Sequence, residues 1–136
     1  VDVEGERLVA YKDTTSKWTI GVGHTGPEVR QGLTITKEQS RAYLIKDAED
    51  AEKSVLQLVH VPLTDNQRFA LVSFVFNLGA PRLLSSTLLR KLNVGDYGSV
   101  PYELMRWNHE TVSGVLRKSE GLTNRRAAEV KLWNSK

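Results

Sequence analysis

Two short polar phrases constrain this chain more than anything else in it. Thr36-Lys37-Glu38-Gln39 and Thr64-Asp65-Asn66-Gln67 share one form, a threonine followed three positions on by a glutamine. In such a capping box the threonine oxygen accepts from a backbone N–H of the first turn, and the glutamine reaches back to the threonine's own N–H. Each phrase therefore marks where a helix starts. Behind the first, Leu44, Ala48, Ala51, Val55 and Leu58 recur at helical spacing, with Asp47, Glu49, Asp50 and Glu52 partly outside. This predicts a long amphipathic helix that ends before the break at Pro62. Behind the second, Phe69 to Leu78 is apolar on every side, the pattern of a central buried helix. Gly79-Ala80-Pro81 stops it.

Shorter helices follow. One is predicted over Ser86 to Leu92, closed by Asn93-Val94-Gly95-Asp96, and another from about Pro101 to Trp107. The last runs from Leu122 to Trp133 with Thr123 or Asn124 near its start. Asn108 to Gly121 lacks periodicity and reads as a surface loop or small hairpin. At the other end, the first ten residues read as a short helix ending near Val9. Tyr11 to Asp13 and Lys17 to His24 then form a hairpin, with Asp13-Thr14-Thr15-Ser16 as its polar turn. Alternation along Lys17 to His24 places Thr19, Gly21 and Gly23 on one nearly bare face, where a bulky ligand could lie against the backbone. Trp18, Ile20, Val22 and His24 fall on the other, a core face. The fold class expected is α+β: mainly helical, with a small antiparallel sheet near the N-terminus.

Composition excludes more than it assigns. A chain of 136 residues, 40% hydrophobic and 26% charged, is one ordinary globular domain. A net charge of +3 favours approach to a polyanion and equally suits a mixed solvated surface. With no cysteine, disulfides, thiolate nucleophiles and cysteine-held metals are out. No apolar run reaches the roughly 18 residues of a membrane span, and no signal-peptide pattern is present. His60 and His109 lack a close-spaced second ligand, so no metal site is expected. Arg117-Lys118 and Arg125-Arg126 are basic but carry no nucleic-acid motif and no interleaved aromatics.

The chemistry lies near the N-terminus, where Glu4, Asp13 and Thr19 are spaced E-x8-D-x5-T. Glycoside hydrolysis needs one carboxylic acid to protonate the leaving oxygen and a second carboxylate to deprotonate water or attack the sugar. A hydroxyl beside the second could hold that water. Each residue also has an ordinary reading: Glu4 as a solvated helix residue with Glu6 as its competitor, Asp13 as a turn cap, Thr19 as a strand former. His24, on the core face, reads as a satisfied core histidine rather than a proton carrier. Phe76 fits a core, whereas Asn77 beside it carries an amide that needs partners if buried. Trp107 and Trp133 read as core or packing residues.

The run Glu4-Gly5-Glu6-Arg7-Leu8-Val9-Ala10-Tyr11-Lys12-Asp13, followed by Trp18 to Gly26, resembles the phage-type lysozymes (endolysins). The resemblance continues at Phe76-Asn77-Leu78-Gly79, at Ser86 to Asn93 and at Gly121 to Glu129, and so spans nearly the whole chain. It implies a lysozyme-like fold in a single catalytic domain, residues 1–136. A small sheet-containing lobe covers about 11–58, and a helical lobe about 59–136 plus the N-terminal helix, joined by the long helix. The implied roles are general acid for Glu4 and second carboxylate for Asp13, with Thr19 beside it. Gly21, Phe76 and Asn77 are expected to meet substrate. Arg125 is expected to lie near the acid glutamate, and Arg126, its register alternative, to be a helix-surface charge. His24 is expected to pair structurally with Asp47. The implied reaction is hydrolysis of the β-1,4 bond between N-acetylmuramic acid and N-acetylglucosamine, without cofactor. The implied partner is the peptidoglycan glycan strand, met by a monomer made in the infected host's cytoplasm and acting in the periplasm, with no nucleic acid and no membrane insertion. A lytic transglycosylase and a non-catalytic wall-binding module are the rival readings.

Overall fold

The computed structural model describes residues 6–13 and 16–135; Glu4 and the expected N-terminal helix before it lie outside the described residues. The elements in order are β1 (Arg7–Lys12), β2 (Trp18–Gly21), α1 (Lys37–Leu58), α2 (Asp65–Leu78), α3 (Ala80–Leu84), α4 (Thr87–Asn93), a 3₁₀ turn (Tyr97–Ser99), α5 (Val100–Met105), β3 (His109–Val112), β4 (Val115–Lys118) and α6 (Glu120–Trp133). The class is α+β, about 55% helical, with two small antiparallel sheets, β1–β2 and β3–β4.

Both capping boxes form. Thr36 N–H donates to Gln39 Oε1 at 2.9 Å and Gln39 N–H to Thr36 Oγ1 at 3.1 Å, opening α1. Thr64 and Gln67 repeat both bonds at 2.9 and 3.1 Å, opening α2. Four orphan N–H groups begin every helix, and each box satisfies one of them while locking the entry of the chain.

Several expectations need correction. Arg7 to Ala10 are strand, not the end of a helix. The chain pairs with β2 through Arg7↔Gly21, Tyr11↔Thr19 and Lys12↔Trp18. On its other side Ala10 N–H donates to Leu33 O and Ile35 N–H to Leu8 O, both at 2.9 Å. Neighbours on both edges satisfy more backbone than one helical turn could, and Leu8 and Ala10 pack on the cluster of Ile20, Val29 and Ile35. The second strand ends at Gly21 rather than His24. Gly21 and Gly23 have φ of +65° and +74°, which fold the chain back so that Ile20 and His24 exchange backbone bonds at 2.8 and 2.9 Å. The face expected to be bare is covered: Thr19 is 3% exposed, and a Cβ at Gly21 would sit 3.1 Å from Ser40 Oγ of α1.

In the helical part, Gly79 (φ +95°) does end α2, but α3 starts at once, with Pro81 in its first turn where a missing N–H costs nothing. The α2 helix buries one stripe, Ala70, Leu71, Phe74 and Val75, while Phe69 is 45% exposed. The final helix begins at Glu120, capped by the Ser119 hydroxyl accepting from Leu122 N–H, ahead of the expected start. The unperiodic segment is a hairpin, β3–β4, turning at Ser113 and Gly114 with φ of +52° and +79°.

The described residues divide into two compact units, one running to Glu49 and including Thr111–Val115, the other holding Asp50–Glu110 and the chain from Leu116 on. The first centres on Ile20, Val29 and Ile35. The second centres on Val55, Leu71, Phe74, Leu83, Leu88, Leu92, Val100, Leu104 and Trp133, with Trp107 packed against it. Trp107 meets Phe74 edge to face, ring centres 5.6 Å apart, as a core tryptophan should.

Candidate active site

The hairpin that carries Asp13 and Thr19 is built around one residue, Lys17. Its N–H donates to Asp13 Oδ1 at 2.9 Å, and its carbonyl accepts from Asp13 N–H at 2.9 Å. The same carbonyl accepts the Thr19 hydroxyl at 3.0 Å. Asp13 therefore is a turn cap, as its ordinary reading held, and that role fixes its carboxylate. Because the Thr19 hydroxyl donates its proton to Lys17, its oxygen keeps lone pairs that can only accept. Thr19 is almost fully buried, so what it can accept from is something as small as water.

Glu6, the competing acid, is committed elsewhere. Its Oε2 accepts from Ser40 Oγ at 2.5 Å and from Arg41 Nε at 3.2 Å. The Ser40 hydroxyl, followed by the Arg41 charge, holds the Glu6 carboxyl below its ordinary range despite burial. A carboxylate tied to the start of α1 and kept ionised has no proton to give.

The His24–Asp47 pair forms, with Nδ1 2.7 Å from Asp47 Oδ2. The sequence reading missed its second partner: Nε2 lies 2.6 Å from Glu28 Oε1. Tyr43 stacks on the ring with centroids 3.9 Å apart. Burial pushes the imidazole toward neutrality, but Glu28 and Asp47 outweigh it and raise its pKa; His24 in turn lowers that of Glu28. With both ring nitrogens held by carboxylates, His24 is a structural cation and not a proton shuttle. The i, i+4 spacing of His24 and Glu28 was the one available signal for the extra partner.

Arg126 overturns its expectation. It is a fully buried residue, not a surface charge. Its Nη2 donates to Asn77 Oδ1 at 3.0 Å and to Glu129 Oε2 at 2.8 Å, and its Nη1 reaches Trp107 O at 3.5 Å. Nε and Glu129 Oε1 approach to 2.6 Å as an ion pair without hydrogen-bond alignment. Ser73 Oγ donates to Glu129 Oε2 at 2.6 Å. The partner demanded by the Asn77 amide is thus supplied at its oxygen by Arg126. Burial pushes the Glu129 carboxyl up, against Ser73 and Arg126, and pushes the Arg126 guanidinium down. Two signals pointed here: the i, i+3 spacing of Arg126 and Glu129, and Ser73 as a polar exception within α2. Arg125 is exposed, its guanidinium 6.0 Å from the Phe76 ring centre. Its expected contact with Glu4 lies outside the described residues.

The phage lysozyme family model matches residues 1–129. The chain belongs to the phage lysozyme family. It is accordingly a lysozyme-type glycoside hydrolase acting on peptidoglycan. Among relatives of this phage lysozyme, the endolysin of Acyrthosiphon pisum secondary endosymbiont phage 1 is 42% identical over 132 residues, covering 97% of this chain and 90% of that protein. The SAR-endolysin of Escherichia phage Mu is 36% identical over 134 residues, 98% of this chain and 75% of that one. In structure, the muramidase domain of SpmX from Asticaccaulis excentricus matches with a TM-score of 0.83 at 35% identity, covering 98% of this chain and 90% of that one. Among the described residues no helix is long and apolar enough to cross a membrane, and no group of three or more His, Cys, Asp or Glu side chains is placed to hold a metal ion.

Proposed function

We propose that this lysozyme cuts the β-1,4 bond between N-acetylmuramic acid and N-acetylglucosamine by single displacement, as one catalytic domain of residues 1–136 working as a monomer. Glu4 protonates the glycosidic oxygen as the bond to the leaving sugar breaks. Asp13 takes one hydrogen of a water, the Thr19 oxygen accepts the other, and the water oxygen attacks the anomeric carbon. The observation that carries this reading is the shared anchoring of Asp13 and Thr19 on Lys17. It fixes a carboxylate and an accept-only hydroxyl relative to one residue, which is what aiming a water requires. Phe76 and Asn77 are the proposed substrate-binding residues of α2, with Arg126 holding the Asn77 oxygen so that its NH₂ is presented. Gly21 drops out, because Ser40 covers it. Synthesis in the host cytoplasm and work in the periplasm accord with the SAR-endolysin relatives.

The test is Glu4→Gln in a turbidity assay on permeabilised bacteria. The amide keeps the shape but has no proton to deliver, so lysis should fall about 10²–10⁴-fold while the circular dichroism spectrum is unchanged. Near-normal lysis by a folded Glu4→Gln protein would sink the assignment. Reducing ends rather than anhydro-sugars among the products separate hydrolysis from transglycosylation.

A further inference from the structure

Between α2 and α6 lies a buried polar arrangement that the water-holding pair does not use. Ser73 and Asn77 stand one turn apart on α2, and Arg126 and Glu129 one turn apart on α6. Arg126 is 0% exposed and held on three sides: by the Glu129 carboxylate at 2.8 Å, by the Trp107 carbonyl at 3.5 Å, and by the Phe74 ring, whose centre is 5.3 Å from the guanidinium carbon. For stability alone, a buried ion pair has no advantage over two well-packed apolar side chains of similar volume. What an apolar pair could not do is choose the orientation of an amide. A guanidinium can only donate, so the Asn77 amide turns its oxygen inward, 3.0 Å from Arg126 Nη2. The opposite flip would set two donors face to face. Asn77 is itself half-buried, and its Nδ2 makes no hydrogen bond to a described residue.

We propose that Arg126 is a positioning residue: without meeting the substrate, it fixes Asn77 as an outward donor for an acceptor oxygen of the glycan. The inference rests on the proposed binding role of Asn77 and adds what sets the polarity of that contact. The control reaches into the core. Ser73 Oγ donates to Glu129 at 2.6 Å, Glu129 holds the guanidinium, and the guanidinium holds the Asn77 oxygen. An asparagine without such an anchor spreads over both amide flips and over other rotamers. With the flip fixed, the donor stands ready before substrate arrives, and binding has nothing to order at that residue.

The test is a double-mutant cycle read in kcat and KM on soluble, uncross-linked peptidoglycan strands, with circular dichroism to confirm that each full-length variant is folded. Asn77→Ala in the wild-type background should lower kcat/KM about fivefold, the effect of one neutral hydrogen bond, through KM rather than kcat. Asn77→Asp should lose as much, because it keeps the inward oxygen and replaces only the outward donor by an acceptor. Arg126→Met/Glu129→Gln removes the anchor and leaves Asn77 in place. In that background Asn77→Ala should lower kcat/KM about twofold or less, since the untethered amide no longer presents its donor. A merely structural Arg126 would change the melting temperature and leave the fivefold effect intact. An equal effect of Asn77→Ala in both backgrounds, or Asn77→Asp matching wild type, would overturn the proposal and leave Asn77 a binding residue. No effect of Asn77→Ala in the wild-type background would overturn the binding role and the proposal together. The Asn77 variants leave the buried pair untouched, so they decide the polarity even if the anchor variant does not fold.

Discussion

Replacing Arg126 by methionine tests what the buried polar network is for. Methionine keeps much of the aliphatic stem and removes the charge, leaving Glu129 in the core with only the Ser73 hydroxyl at 2.6 Å. An unpaired buried carboxylate need not stay charged, since it can take up a proton. From its ordinary pKa of 4.5, neutralising it costs about 3.4 kcal/mol at pH 7 and about 0.7 kcal/mol at pH 5. That escape caps the carboxylate's share of the damage. The Asn77 oxygen, losing its bond at 3.0 Å, adds about 1 kcal/mol at either pH. Because burial already raises the Glu129 pKa in the wild type, the deficit should be at most about 4 kcal/mol at pH 7, within the usual cost of breaking a buried ion pair, and about 2 kcal/mol at pH 5. Urea unfolding of both proteins at the two pH values measures it. The pair Arg126→Met/Glu129→Gln should lose the pH-dependent part and keep the rest. A deficit equal at pH 5 and pH 7 would refute the reasoning, and so would one below about 1 kcal/mol at pH 7, because Glu129 would then not depend on Arg126 for its charge.

Three further outcomes follow from the geometry. His24→Asn should destabilise most between about pH 4.5 and 6.5. The raised His24 pKa gives stability that is full below its unfolded value of 6.5 and fades as pH rises through the folded one; the lowered Glu28 pKa gives stability above 4.5 that is lost as pH falls. Thermal melts at pH 5.5 and 9 decide this, and a gap between variant and wild type that is no smaller at pH 9 would count against it. Gly21→Ala should cost about 1–3 kcal/mol in melts, since the new Cβ meets Ser40 Oγ at 3.1 Å on a backbone of φ +65°; a neutral substitution would show that α1 yields there. If water is held by Asp13 and Thr19, proton NMR of freshly released reducing ends should show the α-anomer first; the β-anomer appearing first would make Asp13 a nucleophile.

What the sequence made legible was local or periodic. Both capping boxes, α1, α2, the Gly79 stop and the Asp13 turn were readable because each rests on a few adjacent side chains. Arg7–Ala10 was misread because what makes it a strand lies elsewhere in the chain, in Leu33 and Ile35 along one edge and β2 along the other. The short α3 was missed for another reason: Gly79-Ala80-Pro81 is a stop signal for one helix and an entry for the next. In the site, His24–Asp47 was available through the family resemblance. Glu28 and the Arg126–Glu129–Asn77 network were signalled only weakly, because an i, i+3 or i, i+4 pair looks the same in sequence whether it faces water or the core.

The buried charges also bear on which glutamate does the chemistry. A general acid must hold a proton at working pH, which calls for burial without a facing cation, and it must reach the substrate. Every described glutamate with a buried side chain fails one of these conditions. Glu6 faces Arg41 and Ser40. Glu103 faces Lys91 at 3.3 Å and Arg106 at 3.0 Å. Glu129 has a raised pKa, but it is 2% exposed and walled in by Arg126 and Ser73, out of reach of any polymer. Glu28, Glu38, Glu49, Glu52 and Glu120 stand open to water, and Glu110 is half-buried. Fixed pairs of this kind suit a chain that must keep its shape while one carboxyl trades protons. In the proposed reading the acid role belongs to Glu4, which the family resemblance and the E-x8-D-x5-T spacing couple to the Asp13 and Thr19 anchored on Lys17.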